Sequence, residues 1–132
     1  MSSNLDAELN KLGFEIADKA QNDGLLTFID KALGVLANDG VYAYYVFCLS
    51  KDKKDDNNEN NNKQFYKDIF IETVKNRLEP FLPTDYRKKN NVQDFFEELS
   101  GNLPDLLFFK DALERALIYA RYHAKALGDK NE

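Results

Sequence analysis

The stretch Pro104-Asp-Leu-Leu-Phe-Phe-Lys-Asp-Ala-Leu-Glu-Arg-Ala-Leu-Ile-Tyr-Ala-Arg-Tyr-His-Ala-Lys-Ala-Leu127 decides the fold. Leu106, Phe109, Leu113, Ala116, Leu117, Ala120, Ala124 and Leu127 recur at steps of three and four, which places them in one apolar stripe on an amphipathic helix. Pro104 suits the first helical position, where its missing N–H costs nothing, and Gly128 suits the residue just past the end. A helix of this length is a rod of roughly 36 Å, about the width of a small domain. It is a scaffold on which shorter helices pack.

Upstream segments supply those helices. Ser3, with Asp6 three residues on, resembles a capping box, and Leu5, Leu9, Leu12, Ile16 and Ala20 then form an apolar face. Asn22-Asp23-Gly24 stops that helix, a second runs from Leu25 to about Ala37, and Asn38-Asp39-Gly40 turns the chain again. Val41 to Leu49 is apolar or aromatic throughout, which by period alone fits a buried strand or a buried helix. No other segment alternates as a partner strand would, so a central buried helix is expected. Phe65, Ile69, Val74 and Leu78 can share a face in a helix over Phe65 to Glu79, ended by Pro80 and Pro83. Asn91, with Asp94 three residues on, caps a short helix from Val92 to Leu99 that Ser100-Gly101 stops. The expected fold is all-α: one bundle of about six helices closed by the long C-terminal one.

A length of 132 residues points to one domain with a real core. Within it, Lys51 to Gln64 has no apolar residue and is expected to be a mobile loop. Its many Asp and Asn oxygens do not form an EF-hand. That pattern needs Gly at its sixth position and Glu at its twelfth, and registers starting at Asp55 or Asp56 supply neither. The net charge of −5 is not that of a protein that binds nucleic acid indiscriminately. Charge is uneven, though: residues 1–50 carry a net −4, whereas residues 104–132 are neutral and hold Lys110, Arg115, Arg121, Lys125 and Lys130. Polyanion contact is therefore expected toward the C-terminal helix. Cys48 is the only cysteine, so no internal disulfide exists, and its apolar surroundings mark it as a small buried hydrophobe. The polar, acidic start has no signal-peptide character, and the longest apolar run is too short to cross a bilayer, so a cytoplasmic protein away from membranes is expected.

Candidate chemistry is sparse. His123, the sole histidine, flanks the apolar stripe, where a rim histidine packs its ring on a neighbour more readily than it serves as a base. Glu97 and Glu98 are adjacent, diverge on a helix and read as a solvated face. No metal-ligand spacing and no nucleophile motif is present, so neither enzyme activity nor a cofactor or metal is expected. Lys110, Arg121 and Lys125 share one side of the last helix with Glu114 among them. Arg115, Tyr119 and Tyr122 share another, where a base or a partner helix can stack. Tyr86-Arg87-Lys88-Lys89 contains the only run of three bases.

Two blocks resemble the small helical subunit of type III CRISPR–Cas effector complexes of the Cmr (RAMP) kind. One is Leu36-Ala-Asn-Asp-Gly-Val-Tyr-Ala-Tyr-Tyr-Val-Phe-Cys-Leu-Ser-Lys51: a leucine, a turn ending in glycine, an apolar helix and a closing lysine before a variable loop. The other, Leu107 to Leu127, is similar to that family's last helix, with Lys110 near its start, Ala-Leu steps, an aromatic at Tyr119, a base at Arg121 and a closing Ala-Lys-Ala-Leu. Tyr119 stands where relatives often carry Trp. The resemblance implies a non-catalytic subunit of an antiviral-defence ribonucleoprotein. It would stack with its own copies along the filament, on Cas backbone and large subunits, beside the guide–target RNA duplex. It further implies contacts to phosphate and shape rather than to bases. Arg121 is the first contact candidate, followed by Lys125, Lys110, Arg115 and Lys51. A helical adaptor unrelated to RNA, docking through Tyr42, Tyr44, Tyr45 or the last helix, is the alternative.

Overall fold

The computed structural model describes residues 2–21, 24–53, 65–82, 86 and 91–128. Six α-helices, and no strand, occur among them: α1 (Ser2–Lys19), α2 (Leu25–Asp39), α3 (Val41–Lys53), α4 (Thr73–Leu78), α5 (Val92–Ser100) and α6 (Leu103–Gly128). The all-α bundle with a long last helix is thus the observed architecture. α6 is its spine. Phe109, Leu113, Ala116, Leu117, Ala120 and Ala124 are buried along one side of it, with Leu106 and Leu127 half-buried at the ends. Leu9, Leu12, Ile16 and Ala20 of the α1 segment have no exposed surface, and Leu5 packs at the rim.

α2 and α3 form a hairpin turned by one residue. Gly40 has φ 99°, in the left-handed region that favours glycine, and its N–H donates to the Val35 and Leu36 carbonyls. Asn38 and Asp39 therefore still belong to α2. α3 is a helix, as the lack of a partner strand requires, and it buries Val41, Tyr44, Tyr45 and Cys48.

Several boundaries differ from expectation. Ser3 lies inside α1 and so is not its cap. α3 continues past Leu49 through Lys51 and Asp52, and Asp52 anchors the segment that follows. Its carboxylate accepts the backbone N–H of Tyr66 and of Lys67, each at 2.9 Å. Those amides open the next helical segment, where N–H groups have no partner within the helix. The remainder of the expected loop, 54–64, lies outside the described residues, as do Asn22, Asp23 and Arg87 to Lys89. α6 starts one residue early, at Leu103, because Asn102 caps it by accepting the Asp105 N–H at 3.2 Å. Gly128 is its last residue rather than the one beyond.

The segment expected as one helix over Phe65 to Glu79 is three. A π-helical turn, Lys67–Glu72, leads into α4, and a 3₁₀ turn, Glu79–Phe81, takes in Pro80. Within the π turn the Thr73 N–H and its Oγ1 both donate to the Asp68 carbonyl five residues back, the latter at 2.9 Å. The Tyr44 hydroxyl, fully buried, donates to the Phe70 carbonyl at 2.8 Å. The apolar positions 65, 69, 74 and 78 step by four, five and four. The extra residue of the π turn absorbs the five-residue step and keeps Ile69 and Val74 both in the core.

Candidate interaction surface of the C-terminal helix

α6 is held in place by close contact with α1. Gly13 on α1 lies against the backbone of Ala116 and Ala120 on α6, so the backbones meet directly there. This fixes which α6 side chains can reach α1 and which point away.

The bases of α6 mostly reach inward to acids. Arg115 Nη2 lies 2.9 Å from Asp6 Oδ1 on α1, with Asp111 on its other side at 3.7 Å. The Tyr119 hydroxyl donates to the same Asp6 carboxylate at 3.0 Å, and this hydrogen bond holds the hydroxyl above its ordinary pKa. Arg121 Nε donates to Asp30 Oδ1 of α2 at 2.7 Å. Lys110 stands 3.8 Å from Glu114 one turn on. Lys125 is exposed and has no ion-pair partner among the described residues. Lys51 is on α3, with its ammonium 5.2 Å from the centre of the Phe47 ring. The five contact candidates are thus not gathered into one basic patch. Arg121 and Lys125 share a flank of α6, one turn apart; Arg115 is turned to α1, and Lys51 belongs to another helix.

These pairs are partly exposed, so each is worth only about 0–1 kcal/mol. Arg121 can leave Asp30 for a phosphate at little cost, but Asp30 competes for it, and a polyanion gains only where several such contacts add.

The stacking face expected from Arg115, Tyr119 and Tyr122 divides. Tyr119 is tied to α1, its Cβ against Gly13 and its hydroxyl on Asp6. Tyr122 is exposed. The tyrosines proposed for an adaptor surface are also occupied. Tyr44 and Tyr45 are buried, and burial raises both hydroxyl pKa values. Gln93 of α5 accepts from the Tyr45 hydroxyl at 2.9 Å and donates to the Tyr42 hydroxyl at 2.8 Å and to Glu97 at 2.6 Å. This network fastens α3 to α5.

His123 packs edge-to-face on Phe14 at 5.4 Å, with Nε2 2.8 Å from Asn10 Oδ1. It is a rim histidine joining α6 to α1. Cys48 is fully buried, and desolvation pushes its thiol pKa up, away from reactivity. Asp105, buried in the first turn of α6, accepts from the Tyr86 hydroxyl at 2.9 Å. Among the described residues no group of three potential metal ligands occurs, and no helix is long and apolar enough to cross a membrane.

The outer face of α6 carries what sequence reading passed over. Leu103, Leu107, Ile118 and Tyr122 stand open to solvent on the side opposite the buried stripe. Their spacing of four, eleven and four is visible in the sequence, but the larger apolar stripe overshadows it. No family model, curated protein or solved structure matches this chain.

Proposed function

We propose that this chain is a non-catalytic structural subunit of a cytoplasmic type III CRISPR ribonucleoprotein. It would stack along the filament against backbone and large subunits and support the guide–target RNA duplex. The observation that carries the proposal is the outer face of α6. Four exposed apolar side chains lie on a rigid rod, with Arg121 and Lys125 at their flank. Such a face suits protein docking beside a polyanion. The two sequence blocks that resemble the small subunit fall on the α2–α3 hairpin and on α6, and the resemblance is what names the assembly. Contacts from Arg121 and Lys125 would go to phosphates, with no reading of bases.

The test is assembly and RNA binding by the Arg121→Glu/Lys125→Glu double variant. Loss of both supports the reading, and retention of both removes these residues from the site. An RNA-independent helical adaptor is the second reading, favoured by the carboxylates of Asp6, Asp30 and Glu114 beside the α6 bases. A chain that binds protein partners through α6 but ignores RNA at low salt would establish it.

A further inference from the structure

The outward face of α6 reads the same from both ends. Leu103 and Leu107 stand at its start and Ile118 and Tyr122 at its end, with 62%, 57%, 44% and 65% of their surface exposed. Between them lie Lys110 and Asp111, then Glu114 and Arg115. From either terminus the order is two apolar residues, a base and an acid, and the two halves are symmetric about the point between Ala112 and Leu113. Leu107 and Ile118 stand eleven residues apart, a period that keeps them nearly in line along a helix.

We propose that this face binds a second copy of the chain, the two α6 helices antiparallel about a two-fold axis level with residues 112 and 113. Leu103 then lies opposite Tyr122 of the second copy, and Leu107 opposite Ile118. In an antiparallel pair each flank of a helix meets the same flank of its partner. Lys110 and Glu114 share one flank, where they are 3.8 Å apart, and Asp111 and Arg115 share the other at 3.7 Å. Across the axis Lys110 meets Glu114, and Asp111 meets the edge of Arg115 that its bond to Asp6 leaves free, twice each. A parallel two-fold pair would exchange the flanks and set Lys110 by Asp111 and Glu114 by Arg115, so these charges fit either direction. The antiparallel one is favoured by the opposed dipoles of the two long helices.

Residues 54–64 contain no apolar side chain with which to cover this face. Eight apolar side chains framed by ion pairs make a contact near the small end of specific interfaces, about 1,200 Å² in total, so roughly micromolar pairing is expected. The contact closes at two copies. It does not rest on the function proposed above, and a filament partner docking on the same face would have to displace the second copy.

Sedimentation velocity of the full chain, from about 1 to about 500 µM, reads the pairing directly. The expected mass rises from 15.2 kDa toward twice that value. Leu107→Glu should remain monomeric throughout with an unchanged circular dichroism spectrum, because Leu107 is exposed in the single chain. Lys110→Glu and Glu114→Lys should each weaken pairing, and a 1:1 mixture should restore it, since every cross-axis pair is then of opposite charge. For register, Leu107→Cys mixed with Ile118→Cys should form a disulfide-linked heterodimer. Leu107→Cys alone should not cross-link, its two copies being about 16 Å apart along the axis. A chain monomeric at every concentration, a dimer indifferent to Leu107→Glu, or a 107–107 cross-link would each overturn the proposal.

Discussion

Gly13 of α1 lies against Tyr119 of α6 with no room for a side chain between them: a Cβ at Gly13 would sit 2.6 Å from the Tyr119 Cβ and 2.7 Å from the Ala120 nitrogen. This contact sets the distance between the two helices. It also determines which residues of α6 are spent on the fold. Tyr119 and Arg115 are turned to Asp6 on α1, while the opposite side of α6 is left to solvent.

Gly13→Ala is therefore expected to destabilise the protein. Alanine gains up to about 1 kcal/mol of helix propensity over glycine. Against this, a methyl group pressed on backbone atoms in a packed interface costs about 1–3 kcal/mol, so with the full propensity gain a net loss of up to about 2 kcal/mol is expected in urea unfolding. If the helices separate to admit the methyl group, the Tyr119–Asp6 bond weakens. The Tyr119 hydroxyl should then titrate closer to its ordinary value by ultraviolet difference absorption.

Asp52→Ala removes the acceptor for two amides at once. The expected loss is about 1–3 kcal/mol, and the Tyr66 and Lys67 amides should exchange with deuterium faster than other amides in the helices. Unchanged exchange at those two amides would show that Asp52 does not hold this junction.

Stability should fall in alkali. Burial raises the Tyr44 hydroxyl and the Cys48 thiol, so folding favours their protonated forms. Their contribution is fully present below the unfolded values. It declines once the pH passes the ordinary thiol range, near 9, because the unfolded chain then releases protons that the folded one retains. A thermal midpoint constant from pH 7 to 8.5 and falling above about pH 9 is expected. Tyr44→Phe should cost about 1–3 kcal/mol at pH 7, by orphaning the Phe70 carbonyl, and should shallow the alkaline decline. Native Cys48 should resist thiol reagents at pH 8 and react only on unfolding.

Lys125→Glu and Arg121→Glu separate stability from binding. Lys125 has no ion-pair partner among the described residues, so its substitution should leave the melting temperature unchanged. Arg121→Glu sets a second acid beside Asp30 and should cost no more than about 1 kcal/mol. Together they should lower the slope of log K against log salt for RNA binding by about 1–2. Fluorescence anisotropy across a salt series provides the comparison, and an unaltered slope would exclude both residues from phosphate contact.

The helices were legible because the signals that define them are local. The stripe of α6, the Asn91 cap of α5 and the glycine turn at Gly40 each act within a few residues, and Val41 to Leu49 was settled by the lack of any partner strand. The π turn was written in the five-residue step from Ile69 to Val74, a period that an α-helical reading smooths over. Asp52 could not be found this way, since its partners are fourteen and fifteen residues on, across an apolar-free run. The candidate site suffered most from distance. Arg115 and Arg121 looked free on their own helix, but their acids come from α1 and α2, more than ninety residues earlier in the chain.

The most direct test of the structural-subunit assignment is purification of the tagged chain from its native host at low salt, with mass spectrometry of the proteins and sequencing of the RNA. Recovery of repeated Cas backbone subunits together with short guide RNAs is the expected result. An eluate containing neither would contradict the assignment.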